Sequence, residues 1–139
     1  MVILEGWCVG AKPQKNSQLN KPINSLERIH DKNFIWRKFV NLQLKTIYKK
    51  LFKQLDSILY LKAKNFDLLK KWRLKQEKKL QLKTKNKKNL KIMNQKEVIN
   101  FMQTYQRITQ QMFKDALKSS SVIMNLNSNH QIETIKIKK

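Results

Sequence analysis

The chain has 139 residues, 40% of them hydrophobic, which suits one domain with a modest core and excludes global disorder. Its formal net charge is +22, carried by 27 lysines and only four arginines while Gly, Pro and Ala are scarce. Such charge suggests a polyanionic partner, but the same profile follows from an A+T-rich coding sequence, so no specific nucleic acid is expected. Cys8 is the only cysteine, which excludes an internal disulfide, and no zinc-ligand spacing joins it to His30 or His130. Cys8 therefore reads as an ordinary reduced thiol. No apolar run reaches the roughly 18 residues of a membrane span and no secretory signal is visible, so the expected setting is cytoplasmic and without a membrane partner.

In chain order, Met1–Leu4 is a continuous apolar run ending at Glu5 and Gly6, the pattern of a buried parallel strand that delivers an acid to the sheet edge. Both glycines of the chain, Gly6 and Gly10, follow it, which marks this stretch as geometrically special. Residues 7–33 lack periodicity and read as a long substrate or lid loop anchored by Trp7, Val9, Ile23 and Leu26. From Phe34 to Leu55, apolar residues at Trp36, Val40, Leu44, Ile47, Leu51 and Leu55 predict one long amphipathic helix.

Ser57–Leu61 predicts a second strand, and Asn65 an N-cap to a helix whose face carries Phe66, Leu69, Trp72, Gln76 and Leu80. Residues 83–93 read as a lysine-rich, solvated mobile segment. Asn94 with Glu97 forms a capping-box pattern for a third helix, along which Val98, Met102, Tyr105, Thr109, Met112 and Ala116 recur to about Lys118. Val122–Leu126 and Ile132–Ile137 predict two short strands joined across Asn127, Ser128 and Asn129. The alternation of strand, helix and strand predicts an α/β fold with a parallel sheet and flanking helices, forming one domain over 1–139.

Val-Ile-Leu-Glu-Gly-Trp-Cys-Val-Gly-Ala-Lys-Pro-Gln (Val2 to Gln14) resembles the strand-and-loop signature of P-loop kinases of the D-glycerate 3-kinase type. In the same order, Pro22-Ile23-Asn24 with Leu26-Glu27, Trp36-Arg37 with Asn41, Phe66 with Trp72-Arg73 and Gln76-Glu77, and Tyr105 with Arg107 and Thr109 resemble later segments of that family. Uridine kinase and phosphoribulokinase are similar more distantly, through the Glu-Gly strand end.

The resemblance implies transfer of the γ-phosphoryl group of ATP, with Mg²⁺, to a hydroxyl of a small glycerate-like acid, chemistry that rests on positioning and charge neutralisation. It implies that Glu5 holds Mg²⁺ directly or through water, or assists the attacking hydroxyl; a strand-end carboxylate that caps a neighbouring helix is the structural alternative. It makes the helix of Arg73 and Gln76 a lid over the ATP phosphates, a task suited to the planar guanidinium fork. Gly6, Gly10, Asn24 and Glu27 fall in the implied substrate loop. Arg37 and Arg107 suit surface ion pairs as well as anion binding, Trp72 and Tyr105 suit packing, and Glu77 suits either a site or a surface pair with lysine.

The family also requires Gly-x-x-x-x-Gly-Lys-Ser/Thr, whose amides and lysine cradle the β and γ phosphates. The chain contains no such motif. It therefore reads as the carboxy-terminal portion of the domain, an incomplete P-loop-type sheet without its first strand and phosphate loop. The missing strand is expected between those of Glu5 and Tyr60. A separately encoded amino-terminal half or a decayed remnant are the two explanations, and inactivity of this portion alone is expected. A stand-alone nucleic-acid binder using its lysine-rich surface remains the alternative, although no aromatic stacking platform lies between Lys75 and Lys91.

Overall fold

The computed structural model describes residues 1–84 and 91–138. Its organising unit is a strand, a helical hairpin and a returning strand: β1 (Leu59–Ala63), α5 (Phe66–Lys83), α6 (Gln95–Ser119) and β2 (Val122–Leu126), followed by β3 (Ile132–Ile137). Four short helices precede it: α1 (Asn16–Leu19), α2 (Ser25–His30), α3 (Ile35–Lys45) and α4 (Ile47–Phe52). The sheet order is β1-β2-β3, with β1 and β2 parallel and β2 and β3 antiparallel. The sheet is thus mixed, because the tight turn at Asn127–Gln131 returns the chain immediately beside β2. Among the described residues no helix is long and apolar enough to cross a membrane.

Both long helices start where local chemistry dictates. Asn65 Oδ1 accepts a bond from the Leu68 amide at 2.9 Å, and Asn94 and Glu97 form a reciprocal box at 2.8 and 3.0 Å. The helices pack on an apolar core of Phe66, Val98 and Met102, bordered by Leu69, Leu74, Met93 and Phe113. Met93 therefore belongs to the packed structure and Lys83 to α5, which narrows the proposed mobile segment 83–93; its residues 85–90 lie outside those described.

Three expectations are corrected. Residues 1–4 form no strand and are exposed, because the segment has no hydrogen-bonding neighbour among the described residues and an isolated strand cannot satisfy its backbone. The helix expected from Phe34 to Leu55 breaks at Thr46, whose backbone leaves the helical region. Its buried face also differs, consisting of Arg37, Asn41 and Leu44, while Trp36, Ile47 and Leu51 are exposed. Apolar periodicity missed that face because polar side chains paired within the fold occupy it. The strand expected at Ser57–Leu61 begins two residues later, at Leu59.

Candidate functional site

Residues 7–33 are ordered and lie along α6. Trp7 Nε1 donates to Thr109 Oγ1 at 2.9 Å, and Gln103 Oε1 accepts from the Leu26 amide at 2.7 Å and from Ser25 Oγ at 2.9 Å. Leu19, which apolar patterning did not single out, is the buried anchor of this stretch, while Trp7 and Ile23 stay substantially exposed. Asn41 grips the backbone of Gln14, accepting from its amide at 2.7 Å and donating to its carbonyl at 3.1 Å. Gly10 has φ 78°, where a side chain is strained, and an added Cβ would stand 2.9 Å from Ile58 Cδ1. The geometric reading of this glycine is met by its conformation.

Arg107 is the centre of the loop's attachment. Its guanidinium donates to both Glu27 carboxylate oxygens at 2.7 and 2.6 Å and to the carbonyls of Gln18 and Lys21 at 2.9 and 2.7 Å. Arg37 stands on the other side, with Nε donating to Asp31 at 2.8 Å and NH1 lying 3.6 Å from Glu27. Asp31 in turn accepts from the Trp36 and Arg37 amides at 2.9 and 3.1 Å, capping α3 from outside its first residue. Burial opposes the charge on Asp31, but these amide bonds and the Arg37 guanidinium outweigh it and hold the carboxyl below its ordinary value.

Arg37 and Arg107 are thus internal clamps rather than surface pairs. Asn24 and Glu27, expected in a substrate loop, have their side chains used within the fold: Asn24 caps α2 and donates to the Gln103 carbonyl, and Glu27 is buried between the two arginines. The cavity beside them measures only about 50 Å³, room for a few waters and no organic acid.

A larger cleft, about 350 Å³, lies between α5 and the β2–β3 turn and is lined by Trp7, Leu69, Trp72, Arg73, Lys75, Gln76, Lys79 and His130. Three cations, one amide and two facing aromatic rings therefore share one concavity, a composition suited to an anion with an attached planar group. The Trp72 and His130 ring centroids are 4.0 Å apart, and Trp72 Nε1 donates to the Ser128 carbonyl at 3.0 Å. His130 has φ 65°, so the turn holds this ring in place through an uncommon backbone conformation. Arg73 donates to Gln76 Oε1 at 2.9 Å and pairs with Glu77, a buried residue whose partner is this arginine and not a surface lysine. One face of the guanidinium is anchored while its position in the cleft wall is fixed.

Arg73 and Gln76, paired from the sequence, thus meet in one cleft; Lys79 and His130 were missed there, since a lysine among 27 and a lone turn histidine carry no distinguishing pattern. Glu5 is exposed two residues before Trp7, and Gly6 lies between them. Cys8 is half-buried, and burial raises its thiol to about 11; Tyr60 is raised to about 12 by burial and by its proximity to Cys8. Neither is an activated nucleophile at neutral pH.

A helical hairpin inserted between parallel strands, with a cationic cleft between α5 and the β2–β3 turn, defines a mixed α/β domain. No protein-family model matches the chain, and no curated protein matches it. The fold matches solved structures: D-glycerate 3-kinase from Cryptococcus neoformans var. grubii serotype A, with a TM-score of 0.72, 20% identity and 96% of this chain covered. The YGR205w protein gives a TM-score of 0.62 and 22% identity over 96% of the chain. The chain spans about half the length of each, 48% and 46% respectively. The resemblance seen in the sequence is met at the level of the fold.

Proposed function

We propose that the chain forms part of an ATP-dependent small-molecule kinase acting on a glycerate-like hydroxy acid in the cytoplasm. The observation that carries this reading is the fold shared with D-glycerate 3-kinase across 96% of the chain. In this reading Arg73 and Gln76 hold the nucleotide phosphates, supported by their place in a cleft with Lys75 and Lys79. Gly6 and Gly10 shape the substrate loop, whereas Asn24 and Glu27 position it from within.

Glu5 is the candidate Mg²⁺ contact. Its carboxylate supplies one hard oxygen, and among the described residues no group of three or more His, Cys, Asp or Glu side chains is placed to hold a metal. In this reading Mg²⁺ is carried mainly by phosphate oxygens and water, with Glu5 supplying a single protein carboxylate. When bound, Mg²⁺ neutralises charge on the transferring phosphoryl group. The chain's own residues contribute orientation: Arg73 is preorganised by Glu77 and Gln76, so little reordering accompanies contact with phosphate.

The phosphate-binding amides and lysine are not in this sequence, so turnover by the chain alone is not expected, and a separately encoded amino-terminal half is the proposed source. The test is a coupled ADP-release assay on the chain alone and on the chain co-expressed with the part of the Cryptococcus enzyme that it does not cover. The expected result is no activity alone and D-glycerate phosphorylation in the complex. Arg73→Ala should lower turnover by roughly 10²-fold or more. Arg73→Lys should rescue it partly, since charge is kept and the fork is lost. Turnover by the chain alone, or activity indifferent to Arg73, overturns the reading. Because Arg73→Ala also strips Glu77 of its partner, the double variant with Glu77→Gln separates lost contact from lost folding.

A further inference from the structure

The cleft between α5 and the β2–β3 turn joins two features that lie apart in the sequence. Between Lys75 and Lys91 there is no aromatic residue on which a base could stack. The fold brings rings to that lysine run from outside it: Trp7 from the loop, Trp72 from the preceding turn of α5 and His130 from the β2–β3 turn line one cleft with Lys75 and Lys79. Each ring is held. Trp7 bonds to Thr109 and packs on Tyr105 with centroids 6.2 Å apart, Trp72 bonds to the Ser128 carbonyl, and His130 lies against Trp72 in a backbone conformation set by the turn. Trp7 and His130 are exposed all the same, so ring surface meets solvent with little left to order on binding.

A row of cations leads away from these rings. Lys75, Lys79 and Lys83 recur every four residues of α5, which keeps them on one side of the helix and spaces them about 6 Å apart along its axis. That step is close to the distance between phosphates of an extended single strand, and the row spans about 12 Å. All three lysines are exposed, and among the described residues no ion pair engages them. The acids of α5 are taken elsewhere, Asp67 by Lys70 and Glu77 by Arg73.

We propose that the cleft and the lysine row bind single-stranded nucleic acid without regard to sequence, an unstacked base lying against the rings and the neighbouring phosphates on Lys75, Lys79 and Lys83. Ring faces accept any base, because every base has a π face, and they reject a duplex, whose bases are stacked on one another and out of reach. The cleft volume of about 350 Å³ agrees, since it suits a base with its sugar and not a double helix. An acidic protein segment would satisfy the lysines and leave the rings unused. A lone nucleotide would use the rings and leave the far end of the row unused. The inference goes beyond the kinase reading and does not rest on it.

The experiment follows fluorescence anisotropy of labelled oligothymidine on the whole chain at physiological salt, with a duplex of the same length and ATP as competitors. The single strand is expected to bind about tenfold or more tightly than either competitor, the scale of one stacked base. Trp72→Ala and His130→Asn should each weaken it by about tenfold for the same reason, while Trp72→Phe, which keeps a ring, should retain most of the affinity. Asparagine tolerates the left-handed backbone at position 130, so that variant decides the matter even where circular dichroism shows that Trp72→Ala does not fold. Lys79→Gln should weaken binding and lower the slope of log affinity against log salt by about 0.7, one phosphate contact on a single strand. Lys45→Gln, on α3, should change neither. Equal affinity for duplex and single strand, or a loss in Lys45→Gln as large as in Lys79→Gln, overturns the proposal and leaves a bulk polycation. Binding of ATP as tight as that of the strand also overturns it, making a single nucleotide the occupant. Full affinity in His130→Asn and Trp72→Ala removes the ring platform and the proposal with it.

Discussion

The two surfaces that α6 offers are held by opposite physics. Toward α5 it presents Val98 and Met102, fully buried against Phe66, and that contact is apolar. Toward residues 7–33 it presents Gln103, Arg107, Thr109 and Gln111, and that contact includes an ion pair and hydrogen bonds to side chains and backbone. Apolar burial is nondirectional and tolerates any close-packed arrangement, whereas a buried ion pair is worth having only in one geometry. The hairpin therefore supplies bulk stability, and the ionic side specifies where a loop without periodicity must lie.

Breaking each side tests the difference. Arg107→Ala should be the more damaging change, about 3–5 kcal/mol, because Glu27 is left buried with a poorer partner. Its signature should be fast amide exchange confined to residues 14–27 while α5 and α6 stay protected; uniform loss of protection would mean that the two regions are one cooperative unit. Met102→Ala should cost ~2–5 kcal/mol and lower the protection of both long helices together, read by urea denaturation with exchange.

Acid should distinguish the regions further. The Asp31 carboxyl is held below its ordinary 3.8, so the stability it contributes is present above that pH and lost as pH falls through the lower folded value. Loop exchange should rise below about pH 4, and Asp31→Asn should flatten that dependence while the α5–α6 core shows none of it. The smallest expected effect lies at the alkaline end. Cys8, raised from 9.0 to about 11, favours the folded chain below pH 9.0 and loses that contribution as pH rises toward 11. Alkylation of Cys8 by iodoacetamide at pH 8 should be several-fold slower in the folded chain than in urea; equal rates would show that the thiol is freely exposed.

Elements governed by neighbouring residues were legible in the sequence. The Asn65 cap, the Asn94–Glu97 box, the two long helices and the Val122–Leu126 and Ile132–Ile137 strands depend on contacts a few residues apart. Arg73 and Gln76 were legible as a pair because helical spacing alone puts them on one face. Everything that depends on distant partners was decided by tertiary structure. The run Met1–Leu4 has the pattern of a strand, but a strand needs a neighbour to bond, and none lies beside it among the described residues. Arg37, Asn41 and Glu77 count as surface residues in any apolar pattern, and they are buried because Asp31, Gln14 and Arg73 meet them there. Trp72 and His130, 58 positions apart in the sequence, form one wall of the cleft only because β2 returns parallel to β1 and its turn reaches α5. Periodicity reports which side of an element avoids water; which charged groups lie there with it is settled by long-range pairing alone.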